Sequence, residues 1–411
     1  MRIVGKKLAV VAASATFAIA AGVGLWGGTA GATGDPHNAA ATSRSVTSDT
    51  AEQSPQLAAN CAVPQKSGYA QCLALHTTHT VQPQTAAADP SGYGPTDLQA
   101  AYKVPSSGAT DTVAIVDAYD NPNAEADLAK YRSQYGLPAC TTDNGCFTKL
   151  NQNGEQGSYP SPDTGWAGEI SLDVQMVSAV CPGCKIVLVE ANSASFGDLG
   201  AAENTAASKA TVISNSWGGG DADDATYGKY FNHQGVAITA SSGDDGYQGG
   251  SYPASSSTVI SVGGTSLNTA SNDRGWDETV WDGTGSGCSA TNAAIAGSDS
   301  ADTGCGDKRA MNDVSAVADP NTGVAVYDTY GGSGWAVYGG TSASSPIVAA
   351  LIGLSGKGST VTPASFYGNP DAFFDVTDGT NGSCSPTQLC NARAGWDGPT
   401  GSGTPNGIAA F

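Results

Sequence analysis

Histidine is nearly missing from this chain. There are four in 411 residues, at His37, His76, His79 and His233. The first three precede the part of the sequence that reads as folded, and no His-Gly-Thr occurs. His233 falls between an expected helix and the strand Val236-Ala237-Ile238, where it reads more readily as structural than as a base. Positive charge is also scarce: 17 Lys+Arg against 37 Asp+Glu, a net charge of −20. That balance argues against nucleic acid or an anionic membrane surface as a partner. It also leaves few charges to repel one another once the carboxylates protonate, so charge-driven unfolding in acid should be mild. After the first 32 residues no apolar run is long enough to span a bilayer. No internal repeat and no EF-hand pattern is present.

What the chain does have is serine and acid in suggestive places. Gly340-Thr341-Ser342-Ala343-Ser344-Ser345-Pro346 leads into the apolar stretch Ile347 to Leu354. This pattern predicts Ser342 on a tight turn at a helix start, where small neighbours admit a carbonyl and free N–H groups favour an oxyanion. A serine hydroxyl needs a base. In Trp166 to Val177, Ile170, Val174 and Val177 recur at helical spacing, with Leu172 and Met176 beside them. Glu169 and Asp173 are one helical turn apart, so they stack on one face, roughly 5–6 Å between Cβ atoms. Two acids so placed repel, one pKa should rise, and they should titrate together. An exposed acidic helix face gives the same spacing. A third acid, Asp244 in Ser241-Ser242-Gly243-Asp244-Asp245-Gly246, follows the strand Gly235 to Ala240. Ligand chemistry in open parallel sheets gathers at that strand end, and a neutral carboxylic acid there can donate to an oxyanion. Gly-Asp-Asp-Gly is equally good turn composition.

Gly-Thr-Ser-x-x-x-Pro, Glu-x-x-x-Asp and Ser-Gly-Asp-x-Gly, in the order Glu, Asp, Asp, Ser, resemble the sedolisins over roughly residues 95–411. These are serine-carboxyl peptidases with a subtilisin-like fold and acidic activity. The resemblance implies Ser342 as nucleophile, Glu169 as general base, Asp173 as its partner and Asp244 as the oxyanion acid. It also makes Ser214-Asn215-Ser216-Trp217-Gly218 a substrate-lining strand end, with Ser214, Trp217 and Gly218 as contacts. It implies one Ca2+ ion, held by the carboxylates of Asp375 and Asp397 and the carbonyls of Val376, Arg393 and Gly395. Hard cations take such oxygen sets from flexible loops, although a polar loop has the same composition. Arg393 stands where relatives often have glycine, so the backbone there must avoid positive φ. Sedolisins usually carry a much larger pro-region than the residues 33–94 available here.

Residues 1–32 read as a signal peptide: Arg2, Lys6 and Lys7, an apolar stretch from Leu8 to Trp26, then Ala30-Gly31-Ala32. The expectation is a secreted, extracellular protein without stable membrane association after cleavage. Residues 33–94, rich in Ala, Thr, Ser, Gln and Pro, read as a propeptide or flexible lead. Residues 95–411 then alternate strands and helices: Val113–Val116, Asn123–Tyr135, the Glu169 helix, Ile186–Val189, Ser195–Lys209, Val212–Ser214, Val236 onward, Val259–Val262 and the Ser342 helix. This α/β alternation predicts one catalytic domain with a parallel sheet covered by helices on both faces and a calcium loop over 375–397. Ten cysteines in an exported chain suggest disulfides. The short gaps favour Cys61–Cys72, Cys140–Cys146, Cys181–Cys184, Cys288–Cys305 and Cys384–Cys390, though sequence alone does not fix connectivity. The expected activity is endopeptidase hydrolysis of polypeptides at acidic pH through an acyl-enzyme on Ser342, by a monomer. Two alternatives remain at this point. One is a subtilisin-like peptidase using His233 and Asp117. The other is a non-catalytic secreted binding protein on the same scaffold.

Overall fold

Along Val113 to Ala118 the side chains alternate between two apolar cores: Val113 and Ile115 join one, Ala114, Val116 and Ala118 the other. A strand buried on both faces reads as a continuous apolar run, which is why it was visible in the sequence. The computed structural model describes residues 56–64, 66–78 and 90–411. The expected signal peptide lies outside the described residues.

We label the strands of the largest sheet β1 (Thr112–Ala118), β2 (Phe147–Asn151), β3 (Lys185–Ala191), β4 (Val212–Asn215), β5 (Ala237–Ser241), β6 (Ile260–Thr269), β7 (Trp276–Val280) and β8 (Val314–Val317). Their order is β7-β6-β5-β4-β1-β3-β2, with β8 also on β6. All pairs are parallel except β6 with β7. Four helices cover it: α1 (Ala124–Gln134), α2 (Thr164–Val180), α3 (Phe196–Ala207) and α4 (Thr341–Ser355). Helices α1, α2 and α4 contribute to the core shared with Val113 and Ile115, while Phe196, Leu199, Ala202 and Ala206 of α3 pack on the opposite face. The expected α/β architecture is thus present. Among the described residues no helix is long and apolar enough to cross a membrane.

The two helices that matter for chemistry are buried nearly throughout. In α2 every residue from Trp166 to Val180 is buried. Asp163 caps its start, accepting from the N–H groups of Gly165 and Trp166 at 2.9 and 3.0 Å. In α4 every residue from Thr341 to Leu354 is buried. Its start requires glycine. Gly340 has φ +89°, and a Cβ there would come within 2.6 Å of Asp244 Oδ2.

The stretch read as a propeptide or flexible lead is folded where it is described. Leu57–Ala59 pairs antiparallel with Leu75–Thr77, which in turn pairs with Gly334–Gly339. Gln71–Cys72 pairs antiparallel with the strand Trp217–Gly220. Residues 57–59, 71–72 and 75–77 are therefore strands. Low apolar periodicity concealed strands only two or three residues long. All ten cysteines pair as the short gaps suggested.

Candidate active site

Parity along β1 sets the site. Asp117 has the parity of Val113 and Ile115, so at the C-terminal end of the strand it faces α2 and α4 rather than α3. Glu169 and Asp173 come from α2, and Ser342 is the second residue of α4. Asp244 follows β5 at the same sheet edge. All five side chains are buried, apart from slight exposure of the Asp244 residue as a whole.

The acids lack the partners that ionised carboxylates need. Both oxygens of Asp117, Oε1 of Glu169, Oδ2 of Asp173 and Oδ2 of Asp244 have no hydrogen-bond partner. Burial without solvation favours the protonated form. Burial pushes the Asp117 carboxyl up to about 8. Burial, then the nearby Asp117 charge, holds Glu169 well above the usual carboxylate range, against hydrogen bonds from Ser342 and the Ala74 N–H. Asp173 is raised by burial, then by Asp117 and Glu169, and lowered by Ser216. Asp244 is pushed up to about 7 by burial, against the N–H and hydroxyl of Thr341, both 2.8 Å from Oδ1. Three acids so close cannot all ionise, so the group retains protons and titrates as a unit. The exposed acidic face that Glu-x-x-x-Asp equally allowed is ruled out by this burial.

Ser216 joins the two halves. Its Oγ donates to Asp173 Oδ1 at 2.7 Å and lies 3.2 Å from the carbonyl of Ser342. That carbonyl would ordinarily accept from the residue four positions on, which is Pro346 and has no N–H. The Ser342 hydroxyl donates to the Ser216 carbonyl at 3.3 Å, a long bond, and also lies within reach of Glu169. Ser216 lies within the strand-end motif Ser214 to Gly218. Its partners lie 43 and 126 residues away in sequence, and no local spacing points to them.

The expected substrate contacts divide by parity. Ser214 turns into the fold, with its Oγ 3.0 Å from that of Ser345. Trp217 points to the opposite core, its indole N–H donating to the Val116 carbonyl at 2.8 Å. Both side chains are buried. Gly218 lines the cleft, and the backbones of Trp217 and Gly218 pair with Cys72 and Gln71. A cleft of about 430 Å³ runs past Leu73, Gly218, Gly219, Asp244 and Gly285.

His233 precedes β5, so it lies at the edge away from Asp244, and its Nε2 is 2.9 Å from the Tyr230 carbonyl. The structure does not bring it to Asp117. His76 is held by Asn60 and stacks near Tyr338 at 5.6 Å between ring centroids.

Four of the five expected calcium residues are linked in two hydrogen-bonded pairs. Asp375 Oδ2 accepts from the Gly395 N–H at 2.9 Å, and Asp397 Oδ2 from the Arg393 N–H at 3.1 Å. Burial and the neighbouring Asp375 charge raise Asp397 to about 7. The Arg393 guanidinium turns outward to the carbonyls of Trp396, Ala301 and Asp302, leaving the carboxylates without a cation of their own. Arg393 is not among the residues of positive φ. This oxygen-only donor set fits a hard cation. Among the described residues no group of three or more His, Cys, Asp or Glu side chains forms a metal cluster, so carbonyl oxygens would have to complete the shell.

The Subtilase family profile matches residues 150–363. Kumamolisin of Bacillus sp. (strain MN-32) is 32% identical over 362 residues, covering 78% of this chain and 63% of that protein. The solved structure of Pseudomonas sedolisin, a serine-carboxyl proteinase complexed with two molecules of pseudo-iodotyrostatin, superposes with a TM-score of 0.66 at 30% identity. It covers 78% of this chain and 96% of that one. The chain belongs to the sedolisins, within the subtilase family. Sedolisin of Pseudomonas sp. (strain 101) is 30% identical in sequence, again over 78% of this chain, with 60% of that protein covered. The chain therefore spans about three fifths of the length of the sedolisin-family relatives it matches. Membership accounts for the scarcity of histidine: in this sedolisin the residues gathered around Ser342 are acids and serine.

Proposed function

We propose that this sedolisin is a secreted serine-carboxyl endopeptidase that cleaves polypeptides in acid through an acyl-enzyme on Ser342. The observation that carries this reading is the meeting of Ser342 with a buried group of acids that lack solvent and cations. Glu169 takes the hydroxyl proton as Ser342 attacks, and returns it to the departing amine. Asp173, oriented by Ser216, and Asp117 share the remaining protons, which lets Glu169 act as base without leaving three buried charges. Asp244, neutral at low pH and with Oδ2 unpaired, donates to the developing oxyanion. Once the cleft opens to water, burial weakens and the first ionisation of the acid group moves down toward the ordinary carboxylate range. Export is supported by the five disulfides and by the N-terminal sequence.

The test is a pH–rate profile on a denatured protein. A group that must be neutral supports activity below its pKa and loses it as pH rises through that value. Activity should therefore fall as pH rises through the Asp244 value, which is about 7 while the group is buried and lower once the cleft opens to water. Asn at this position keeps a donor at every pH, so Asp244→Asn should move the upper limb to higher pH. An unchanged upper limb in this variant rejects the role of Asp244. A neutral or alkaline optimum rejects the acid reading altogether.

Calcium is proposed at the 375–397 loop, held by the carboxylates of Asp375 and Asp397 and the carbonyls of Val376, Arg393 and Gly395. It would neutralise the two carboxylates and fix the loop, supplying stability rather than chemistry. Chelation should lower the melting temperature by several degrees, and restored Ca2+ should recover it by mass action. Asp397→Asn should abolish that calcium response; a chelator-sensitive variant would place the ion elsewhere.

A further inference from the structure

Helix α3 turns one stripe toward the sheet, with Phe196, Leu199, Ala202, Glu203 and Ala206 buried along it. Glu203 is the acid in an otherwise apolar row. It is fully buried, and neither carboxyl oxygen has a hydrogen-bond partner. It enters none of the ion pairs among the described residues. The acids gathered around Ser342 do not include it, because α3 covers the opposite face of the sheet. The elements that pack on α3 bring no charge to it. On this face β1 presents Ala114, Val116 and Ala118, and β3 presents Val187, Val189 and Ala191. From β5 come Ile238 and Ala240. The turn Gly228–Tyr230 lays the Tyr230 ring against Gly200, and Lys229 stands over that ring, 4.8 Å from its centroid. His233 is on the Tyr230 carbonyl. Tyr227 and Tyr252 pack on Phe196 at the start of the helix, where Asp198 takes the Ser193 hydroxyl. Beyond the helix end Lys209 is exposed. Thr205 donates to the Gln152 carbonyl, and in that loop Glu155 is turned to Asn151.

What lies within reach of Glu203 is Asn215, the last residue of β4. Its neighbours Ser214 and Ser216 reach Ser345 and Asp173 on the other face, and alternation sends Asn215 toward α3. Asn215 Nδ2 donates to the Thr239 carbonyl of β5 at 3.2 Å, and its Oδ1 has no partner. A neutral carboxylic acid has one O–H to give, and Asn215 Oδ1 is an acceptor that lacks one. An ionised Glu203 has only acceptors and would meet that oxygen with an unsolvated charge. We propose that Glu203, as a neutral acid, is a positioning residue for the reaction: from the back of the sheet it donates to Asn215 Oδ1 and so fixes the strand end that carries Ser216.

The inference rests on the reading of Ser342 as nucleophile with Glu169 and Asp173 as its acids. Ser216 follows Asn215 directly. Its Oγ orients Asp173, and its carbonyl takes the Ser342 hydroxyl. The bond from Asn215 to Thr239 extends the brace to β5, the strand that leads to Asp244. Burial pushes the Glu203 carboxyl up to about 8, against the pull of Asn215. An acid raised in this way contributes stability in full below the ordinary glutamate range and loses it as pH rises through the folded value. Ionisation then puts an unbalanced charge in the core, and the brace opens. The tie to acid thus has a second source, on the far side of the sheet from the cleft and untouched by its opening to water.

Two variants test this on one fluorogenic peptide substrate. Glu203→Gln keeps the shape and supplies an N–H donor at every pH. Glu203→Leu suits the apolar row and supplies none. At about pH 4 Glu203→Gln should keep kcat and KM close to wild type. Glu203→Leu should lose kcat by about tenfold, as the strand end shifts around a bare buried acceptor, with KM unchanged. A merely structural role would lower the melting temperature of the Leu variant and leave kcat per folded molecule as it was. Held at about pH 8 and assayed again at about pH 4, Glu203→Gln should lose activity several-fold more slowly than wild type. A folded Leu variant as fast as wild type, a Gln variant that fails to restore kcat, or equal loss at pH 8 overturns the inference and leaves the Ser342 reading intact. If the Leu variant does not fold, the Gln comparison at pH 8 decides alone. Unchanged hydrolysis by Ser342→Ala overturns both, since Ser216 then has no nucleophile to position.

Discussion

Ser342→Ala should lower hydrolysis of a denatured protein at about pH 4 by on the order of 10⁴-fold or more, as removal of a peptidase nucleophile does. The melting temperature should hardly move. The hydroxyl makes a long bond, 3.3 Å to the Ser216 carbonyl, and lies within reach of Glu169, and its loss leaves no void larger than a water. The two readouts separate chemistry from folding, because a variant that lost activity through misfolding would lose its cooperative transition as well. A fluorophosphonate reagent should label the wild type after the cleft has opened and leave the variant unlabelled. Labelled variant protein, or hydrolysis at the wild-type rate, would move the nucleophile to another residue.

The part of this site that could be read from the sequence is the part encoded by short spacing. Glu169 and Asp173 are one turn apart on a helix whose apolar positions declare it. Ser342 begins a helix announced by small residues and an apolar run. Asp244 follows a strand that is apolar throughout. In each case the local pattern fixes the backbone and the backbone fixes where the side chain goes. Asp117 was legible only as a strand-end acid; its place among the other acids follows from the parity of β1 and from what α2 presents to it. Trp217 shows the limit of a motif. Its neighbour Gly218 lines the cleft, while the Trp217 side chain goes into the opposite core, with its indole N–H on the Val116 carbonyl. The largest gap was the segment from 57 to 77. Its strands are two or three residues long, too short for any period, and those that pair outside the segment do so with residues about 145 and about 263 positions away. Nothing local to Leu73 distinguishes it from a linker; only the folded cleft does.

Glu169→Gln is expected to cost 10²- to 10⁴-fold in activity, roughly the range for losing a positioned general base. Gln has nearly the shape of Glu, and its carbonyl oxygen can still accept the Ala74 N–H, so the segment should stay bound and the fold intact. What it cannot do is take the Ser342 proton and hand it on to the leaving nitrogen. The same change removes one acid from a buried group of three. Asp173 is raised partly by Glu169, so its carboxyl should ionise at lower pH in the variant, and the Asp117 carboxyl with it. The small remaining activity should therefore show an acid limb displaced from that of the wild type, because the group titrating is no longer the same. Asp173→Asn tests the other half of the arrangement. An amide can receive the Ser216 hydroxyl bond but does not share a proton with Glu169, so activity should fall less than in Glu169→Gln while the acid limb shifts. If Glu169→Gln retained wild-type rates with an unmoved pH profile, proton transfer in this sedolisin would have to run through another group. Asp117, at the end of β1 and facing the same helix, would then be the acid to test.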